Sequence, residues 1–325
     1  MAYATAKQIS ESGIPVIDLG PIFTDDTSGY QRVAGEMRAA AETLGFFYIK
    51  NHGVPEDIIK RTQTIANDFF ACPQEDKLTV AMSGGGHRGF LRIGEAKMYE
   101  SALSDLKESY VWGLDIGDDD PDFLAGSILA PNAWPGFMPE LRPVLNDFFV
   151  ATHICGRHLL RAFAASLELP LDYFVGSFDK PVSRGSLVYY PPQPPDLGEE
   201  QFGVGPHTDY GCLTLVYQDA VGGLQVATRT GEWVTAVPIE GTFVVNIGDL
   251  MARWSNDHFK STPHRVVNSS GVTRCSVAMF IDPNADTDVV PAFEGEAPRF
   301  EPVEVGDYIQ SRYDASFEYR KQPGS

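Results

Sequence analysis

The sequence predicts an α+β protein, with helices concentrated in its first half and antiparallel β structure in its second. Two observations carry this. Before residue 184, apolar residues recur at helical spacing in three stretches; after it come seven short β-rich runs separated by Gly, Pro and Asp. A chain of 325 residues with 43% hydrophobic and 21% charged residues can also bury a sizeable core, as one large domain or two modest ones.

Residues 14–19 form a β-branched run between Gly13 and Gly20 and predict a strand, as do 44–49, closed by Asn51-His-Gly53. Between them Val33, Met37, Ala40 and Leu44 predict a helix over 30–43, and Ile58, Ile59, Ile65 and Phe69 predict another over 56–70. Ser83-Gly-Gly-Gly-His87 suits a flexible loop, since no strand leads into it and no Lys-Ser or Lys-Thr follows, as a phosphate-cradling loop requires. Leu145, Phe148, Phe149, Leu159, Leu160 and Phe163 predict a long core helix over 141–167. His153 and His158 on it do not share a face and suit packing or surface roles. Strands then follow over 186–190, 213–218, 224–227, 233–236, 242–247, 264–268 and 274–281, a spacing that fits a sandwich or barrel rather than βαβ units. The polar stretch 317–325 predicts an exposed or frayed end.

Charge narrows the partners. Lys plus Arg number 25 against 44 Asp plus Glu, a net charge of −19, which opposes approach to nucleic acid and to anionic membrane surfaces. No apolar run is long enough for a transmembrane helix, and the first residues lack the basic and apolar regions of a signal peptide, so the expected compartment is the cytoplasm. Cys72, Cys155, Cys212 and Cys275 lie far apart, which argues against a disulfide framework or a cysteine zinc site.

Chemistry concentrates in the β-rich half. In Gly205-Pro-His207-Thr-Asp209, an imidazole and a carboxylate two residues apart share a face if the segment is extended. His264 opens another predicted strand 57 residues after His207, and Arg274-Cys-Ser276 follows ten residues later. Two imidazoles and one carboxylate suit a borderline divalent metal. A facial set of three leaves positions on Fe(II) for a chelating cosubstrate and dioxygen, while zinc hydrolysis can use a similar set. Arg274 and Ser276 supply the planar donor fork and hydroxyl that a carboxylate needs.

At these motifs the sequence resembles the isopenicillin N synthase-like family of non-haem Fe(II), 2-oxoglutarate-dependent dioxygenases. The resemblance runs from Ile14-Pro-Val-Ile-Asp18, Gly45-Phe-Phe-Tyr-Ile-Lys-Asn-His-Gly-Val54, Arg88-Gly-Phe90, Asp105-Leu-Lys-Glu-Ser-Tyr110 and Asn132-Ala-Trp-Pro135 to Tyr190-Pro-Pro192, Gly223-Leu-Gln-Val226, Asn246-Ile-Gly-Asp249 and Phe280-x-x-Pro283. It implies a distorted double-stranded β-helix, or jelly roll, of about eight strands backed by helices. It further implies that His207, Asp209 and His264 ligate iron and that Arg274, Ser276 and Tyr190 bind 2-oxoglutarate. O2 would be the second cosubstrate, with succinate and CO2 released as a small metabolite is hydroxylated, desaturated or cyclised. His258 is the rival to His264, but His264 keeps the ten-residue interval to Arg274. His52 resembles a turn landmark and not a ligand.

The chain departs from the family at Ser186 and Val188, where many members carry an arginine or an asparagine. An oxidase of the same fold that uses O2 without 2-oxoglutarate, or a non-catalytic binding protein on the same scaffold, are the alternatives. Expected pocket residues are Phe90, Arg92, Tyr99, Tyr110, Tyr210, Cys212 and Phe280, with Arg88 and Arg92 able to receive an anion or to form salt bridges. The expected divisions are an N-terminal region over 1–120, a helical backing segment over 121–182, a jelly-roll core over 183–290 and a C-terminal segment over 291–325.

Overall fold

In a computed structural model, which describes residues 13–23, 27–82, 86–98, 103–193, 201–291 and 296–317, the chain begins with β1 (Val16–Asp18), α1 (Thr27–Thr43), β2 (Phe46–Lys50), α2 (Glu56–Ala71), α3 (Gln74–Leu78), β3 (Gly89–Leu91) and β4 (Glu108–Gly113). It continues through α4 (Pro121–Leu124), α5 (Leu141–Ser166), β5 (Arg184–Tyr190), β6 (Val204–His207), β7 (Leu213–Gln218), β8 (Leu224–Ala227), β9 (Trp233–Thr235) and β10 (Phe243–Ile247). It ends with α6 (Asp249–Trp254), β11 (His264–Val266), β12 (Arg274–Ile281), β13 (Asp288–Val289), β14 (Val303–Glu304) and α7 (Val305–Ser316).

One sheet has the order β1-β2-β10-β7-β12-β5-β4-β3, a second β6-β11-β8-β9, and β13 pairs with β14. Among the described strands only β1 and β2 are parallel. This is a distorted jelly roll with helices on one side. The strands of 1–120 do more than pack on the core: β1 to β4 form both edges of its larger sheet.

Period-two alternation explains how the larger sheet buries both faces. Phe46 and Tyr48 of β2, Val188 and Tyr190 of β5 and Val244 of β10 pack with Val204, Leu224, Val226 and Val266 of the smaller sheet. The alternate residues Phe47, Ile49, Leu187, Val245, Val277 and Met279 pack with Met37 of α1, Ile65 of α2 and Phe148 and Phe163 of α5. The inner face also carries polar residues that a sheet would otherwise exclude, and these build the site.

Boundaries shift for local reasons. The strand expected from residue 44 starts at Phe46, because Gly45 (φ 71°) caps α1 with its N–H on the Ala40 carbonyl at 2.9 Å. A Cβ at Gly45 would lie 2.0 Å from the Lys260 carbonyl oxygen. β11 ends at Val266, since the Asn268 amide turns to donate to the carbonyls of Tyr190, Pro191 and Val272. The Gly205-Pro206 pair hid β6, which tolerates proline as an edge strand. The expected loop at 83–87 lies largely outside the described residues, as does Tyr99. Of the end expected to be polar and exposed, residues 318–325 lie outside the described residues; Phe317 departs from the expectation, its ring being buried against His87 and Tyr313.

Candidate active site

β6 and β11 are antiparallel neighbours in a register that sets His207 opposite His264. The chain leaves β6 after His207, so Asp209 is delivered by the following turn rather than by strand alternation. Hydrogen bonds aim all three inward. His207 Nδ1 is 2.8 Å from the Gly205 carbonyl and His264 Nδ1 3.3 Å from that of Thr262, which leaves both Nε2 atoms as lone-pair donors. Asp209 Oδ2 accepts from the Thr214 hydroxyl and the Asn246 amide, and its Oδ1 lies 3.7 Å from each Nε2.

Electrostatics keeps the ligand forms. Burial and the His264 imidazole hold His207 down to about 3, so it stays neutral. Burial pushes Asp209 up, but the two imidazoles and the Thr214 and Asn246 hydrogen bonds outweigh it and hold the carboxyl below its usual range. The one ligand atom that each residue offers lies within 4.8 Å of the others, a donor set that fits a divalent metal with a facial two-imidazole, one-carboxylate preference. His258 is not part of it; its Nε2 meets Glu296 at 3.1 Å. His52 accepts the Val54 N–H in a turn and packs against Phe243.

A buried anion anchor lies on the inner face of the larger sheet. Arg274 of β12 is 1% exposed and stacks on Tyr190, its register partner in β5, at 4.5 Å. Its guanidinium makes long bonds, 3.3 Å to the Ser276 hydroxyl and 3.3 Å to the Gln218 side-chain oxygen, and lies beside the Tyr190 phenol; its Nε has no partner among the described residues. Burial raises the Tyr190 phenol, which stays a neutral donor beside Arg274 and Ser276. A buried, under-bonded guanidinium with two hydroxyls fits the carboxylate of a keto acid.

A separate pocket opens beside the triad, lined by His207, Asp209, Lys107, Arg184, Tyr210 and Phe280 among others. Tyr210 and Phe280 line it. Phe90 and Tyr110 do not: both are fully buried, and their strand neighbours Leu91, Ser109 and Val111 line the pocket instead. Reversing the parity of a strand moves every side chain to the other face. Cys212 is likewise fully buried in the core, where burial raises its thiol; its carbonyl accepts from the Gly248 N–H at 2.9 Å and its backbone N–H donates to the Asp282 carboxylate at 3.0 Å. A Cβ at the preceding Gly211 would lie 1.6 Å from that carboxylate oxygen, so the turn needs glycine for lack of space. Arg92 is turned outward and paired with Glu95. Arg88 is buried and donates to the Gly86 and His87 carbonyls. Of the departing positions, Ser186 lines the pocket and Val188 joins the inter-sheet core.

Comparison with known proteins agrees with this geometry. The chain is 32% identical to a 2-oxoglutarate-Fe(II) type oxidoreductase, hxnY, of Emericella nidulans, over 93% of this chain and 90% of that one. The chain belongs to the 2-oxoglutarate-Fe(II) oxygenase family. The model of the 2OG-Fe(II) oxygenase superfamily matches residues 185–283, and that of the "non-haem dioxygenase in morphine synthesis N-terminal" region matches 14–136. This oxygenase is 34% identical to a homoarginine-6-hydroxylase of Oryza sativa subsp. japonica over 94% of this chain and 97% of that one. It superposes with a TM-score of 0.83 on a full-length Neurospora crassa protein crystallised in complex with alpha-KG and thymine, at 31% identity over 94% of this chain and 98% of that one. It is thus a non-haem dioxygenase that uses Fe(II), 2-oxoglutarate and O2 to oxidise a small organic molecule. Among the described residues no helix is long and apolar enough to cross a membrane.

Reading the sequence missed Thr214, Asn246, Lys107, Arg184 and Gln218. Asn246 lay inside a quoted motif without a role, and Thr214 inside a predicted strand. A polar residue at an alternate position of an otherwise apolar strand was the available signal.

Proposed function

We propose that His207, Asp209 and His264 hold Fe(II) in this dioxygenase, and that Arg274, Ser276 and Tyr190 hold the distal carboxylate of 2-oxoglutarate. The buried, under-bonded Arg274 guanidinium is the observation that carries the reading. When bound, Fe(II) supplies the open positions at which oxidative decarboxylation of 2-oxoglutarate to succinate and CO2 is coupled to substrate oxidation. The chain's own residues do the rest. His207 and His264 present unprotonated nitrogens, Thr214 and Asn246 keep Asp209 Oδ1 turned inward, and the fixed fork of Arg274 sets the cosubstrate's far end. Tyr210 and Phe280 wall the space where the substrate is positioned.

The relatives that act on homoarginine and bind thymine support a small metabolite as substrate here. Four free cysteines and the net charge of −19 support a cytoplasmic protein without a nucleic-acid partner.

The test is anaerobic titration of Fe(II)-loaded protein with 2-oxoglutarate, following the visible charge-transfer band of a chelated keto acid. Saturable growth of the band in the wild type and its strong weakening in Arg274→Ala are expected. Equal affinity in the two proteins sinks the Arg274 role. Absence of a band in fully metallated wild type favours an oxidase that takes its carboxylate substrate directly.

A further inference from the structure

The pocket beside the triad holds two cationic side chains that the cosubstrate anchor does not use. Lys107 lies one residue before β4, and Arg184 is the first residue of β5. Neither Arg274, Ser276 nor Tyr190 lines this pocket. The Lys107 side chain makes no hydrogen bond or ion pair with any described residue; burial and the Arg184 charge disfavour its ammonium form, against which the Asp105 and Asp209 carboxylates act, so a further anion in the pocket would favour it. The Arg184 side chain makes no hydrogen bond to any described residue either. Its guanidinium is held by the ring of Phe280 at 4.0 Å and that of Tyr313 at 5.0 Å, and its ion-pair partner, Asp282, stays 3.6 Å away.

Polar groups in a cleft of this kind are normally satisfied, and two like charges facing one space are costly unless an anion joins them. The carboxylates nearby meet these cations only loosely: Asp209 belongs to the triad, while Asp105 and Asp282 each accept a backbone N–H on Oδ1, from Gly205 at 2.9 Å and Cys212 at 3.0 Å, and neither Oδ2 accepts a hydrogen bond from a described residue. Apolar side chains of Leu91, Met98, Val111 and Phe317 also line the pocket and supply its walls. We infer that the substrate is a small organic acid whose carboxylate is received by Lys107 and Arg184 while its apolar body lies against these walls. Rings on Arg184 fix the plane of the fork, and Lys107 completes the charge without needing a fixed geometry. The inference rests on the metal and cosubstrate roles proposed above and adds the class of substrate to them.

The experiment uses the Fe(II)-loaded protein with saturating 2-oxoglutarate under argon. Phenylacetate, cinnamate and hexanoate are each titrated against their neutral amides, with binding followed by calorimetry and by the change in the visible band. Acids are expected to bind at least about tenfold tighter than amides in wild type, as a charge-assisted pair implies. That preference is expected to collapse in Lys107→Gln and in Arg184→Met, with 2-oxoglutarate affinity unchanged as the check that each variant is folded. Amides binding as tightly as acids, or no acid binding while 2-oxoglutarate still does, overturns the inference. So does a Lys107→Gln protein that loses 2-oxoglutarate affinity and keeps the acid preference, which would assign Lys107 to the cosubstrate. A wild type that binds no 2-oxoglutarate overturns the cosubstrate roles themselves and this inference with them.

Discussion

Replacing Thr214 by valine removes one hydroxyl and almost no volume, and it isolates what the structure says holds Asp209 in place. Thr214 and Asn246 are register partners on β7 and β10, both buried, and both donate to Asp209 Oδ2. Asp209 Oδ1 is left as the inward atom, 3.7 Å from either imidazole. A hydrogen bond to a charged group is worth about 1.5–3 kcal/mol, and outer partners of metal ligands typically change metal affinity by about 10–100-fold. Thr214→Val is therefore expected to weaken Fe(II) affinity by about tenfold or more, with 2-oxoglutarate affinity at saturating metal unchanged. Asn246→Ala should do the same. The double variant, with neither donor left to hold the carboxylate, should lose more than the sum of the two. The assay is competition with a chromophoric chelator under argon, with thermal unfolding of the metal-free proteins as the control for folding. A folded Thr214→Val protein with wild-type metal affinity would refute the argument that these donors orient the ligand.

Further outcomes follow from the same geometry. His207→Ala is expected to abolish Fe(II) binding and turnover while the metal-free protein still unfolds cooperatively, as calorimetry would show. Phe90→Ala should destabilise the fold by about 3–5 kcal/mol in denaturant unfolding, the cost of a large core deletion, and leave the substrate KM unchanged, whereas Leu91→Ala should move KM. Asp282 is pushed by burial up to about 6 from 3.8. A folded-state value above the unfolded one favours the native state fully below about pH 4, and this contribution is lost as pH rises through about 6. The stability of wild type relative to Asp282→Asn should thus fall by about 3 kcal/mol between those limits, and a difference that stays flat with pH contradicts the shift.

Much of this protein was legible in its order of residues. The main helices and most strands appear within a few residues of where periodicity puts them, because an amphipathic helix and a two-faced buried strand each leave a repeat that neighbours in sequence reveal. His207, Asp209, His264, Arg274 and Ser276 stood out because their types and order in the chain resemble the family's motifs; the His-x-Asp pair alone would have been too common to single out. Which of two adjacent residues lines the pocket beside the triad was not legible. Phe90 against Leu91 and Tyr110 against Val111 differ by one step of a strand, and the choice depends on which sheet face the helices cover. Nor could the sequence show that Asn246 and Thr214 meet on one carboxylate oxygen, or that Lys107 and Arg184 share a pocket, since each pair joins residues more than thirty positions apart. Local propensity determined the elements and the chemical kinds at the site. Pairing of strands distant in the chain decided which polar groups converge, because convergence is a property of register and burial and not of spacing along the backbone.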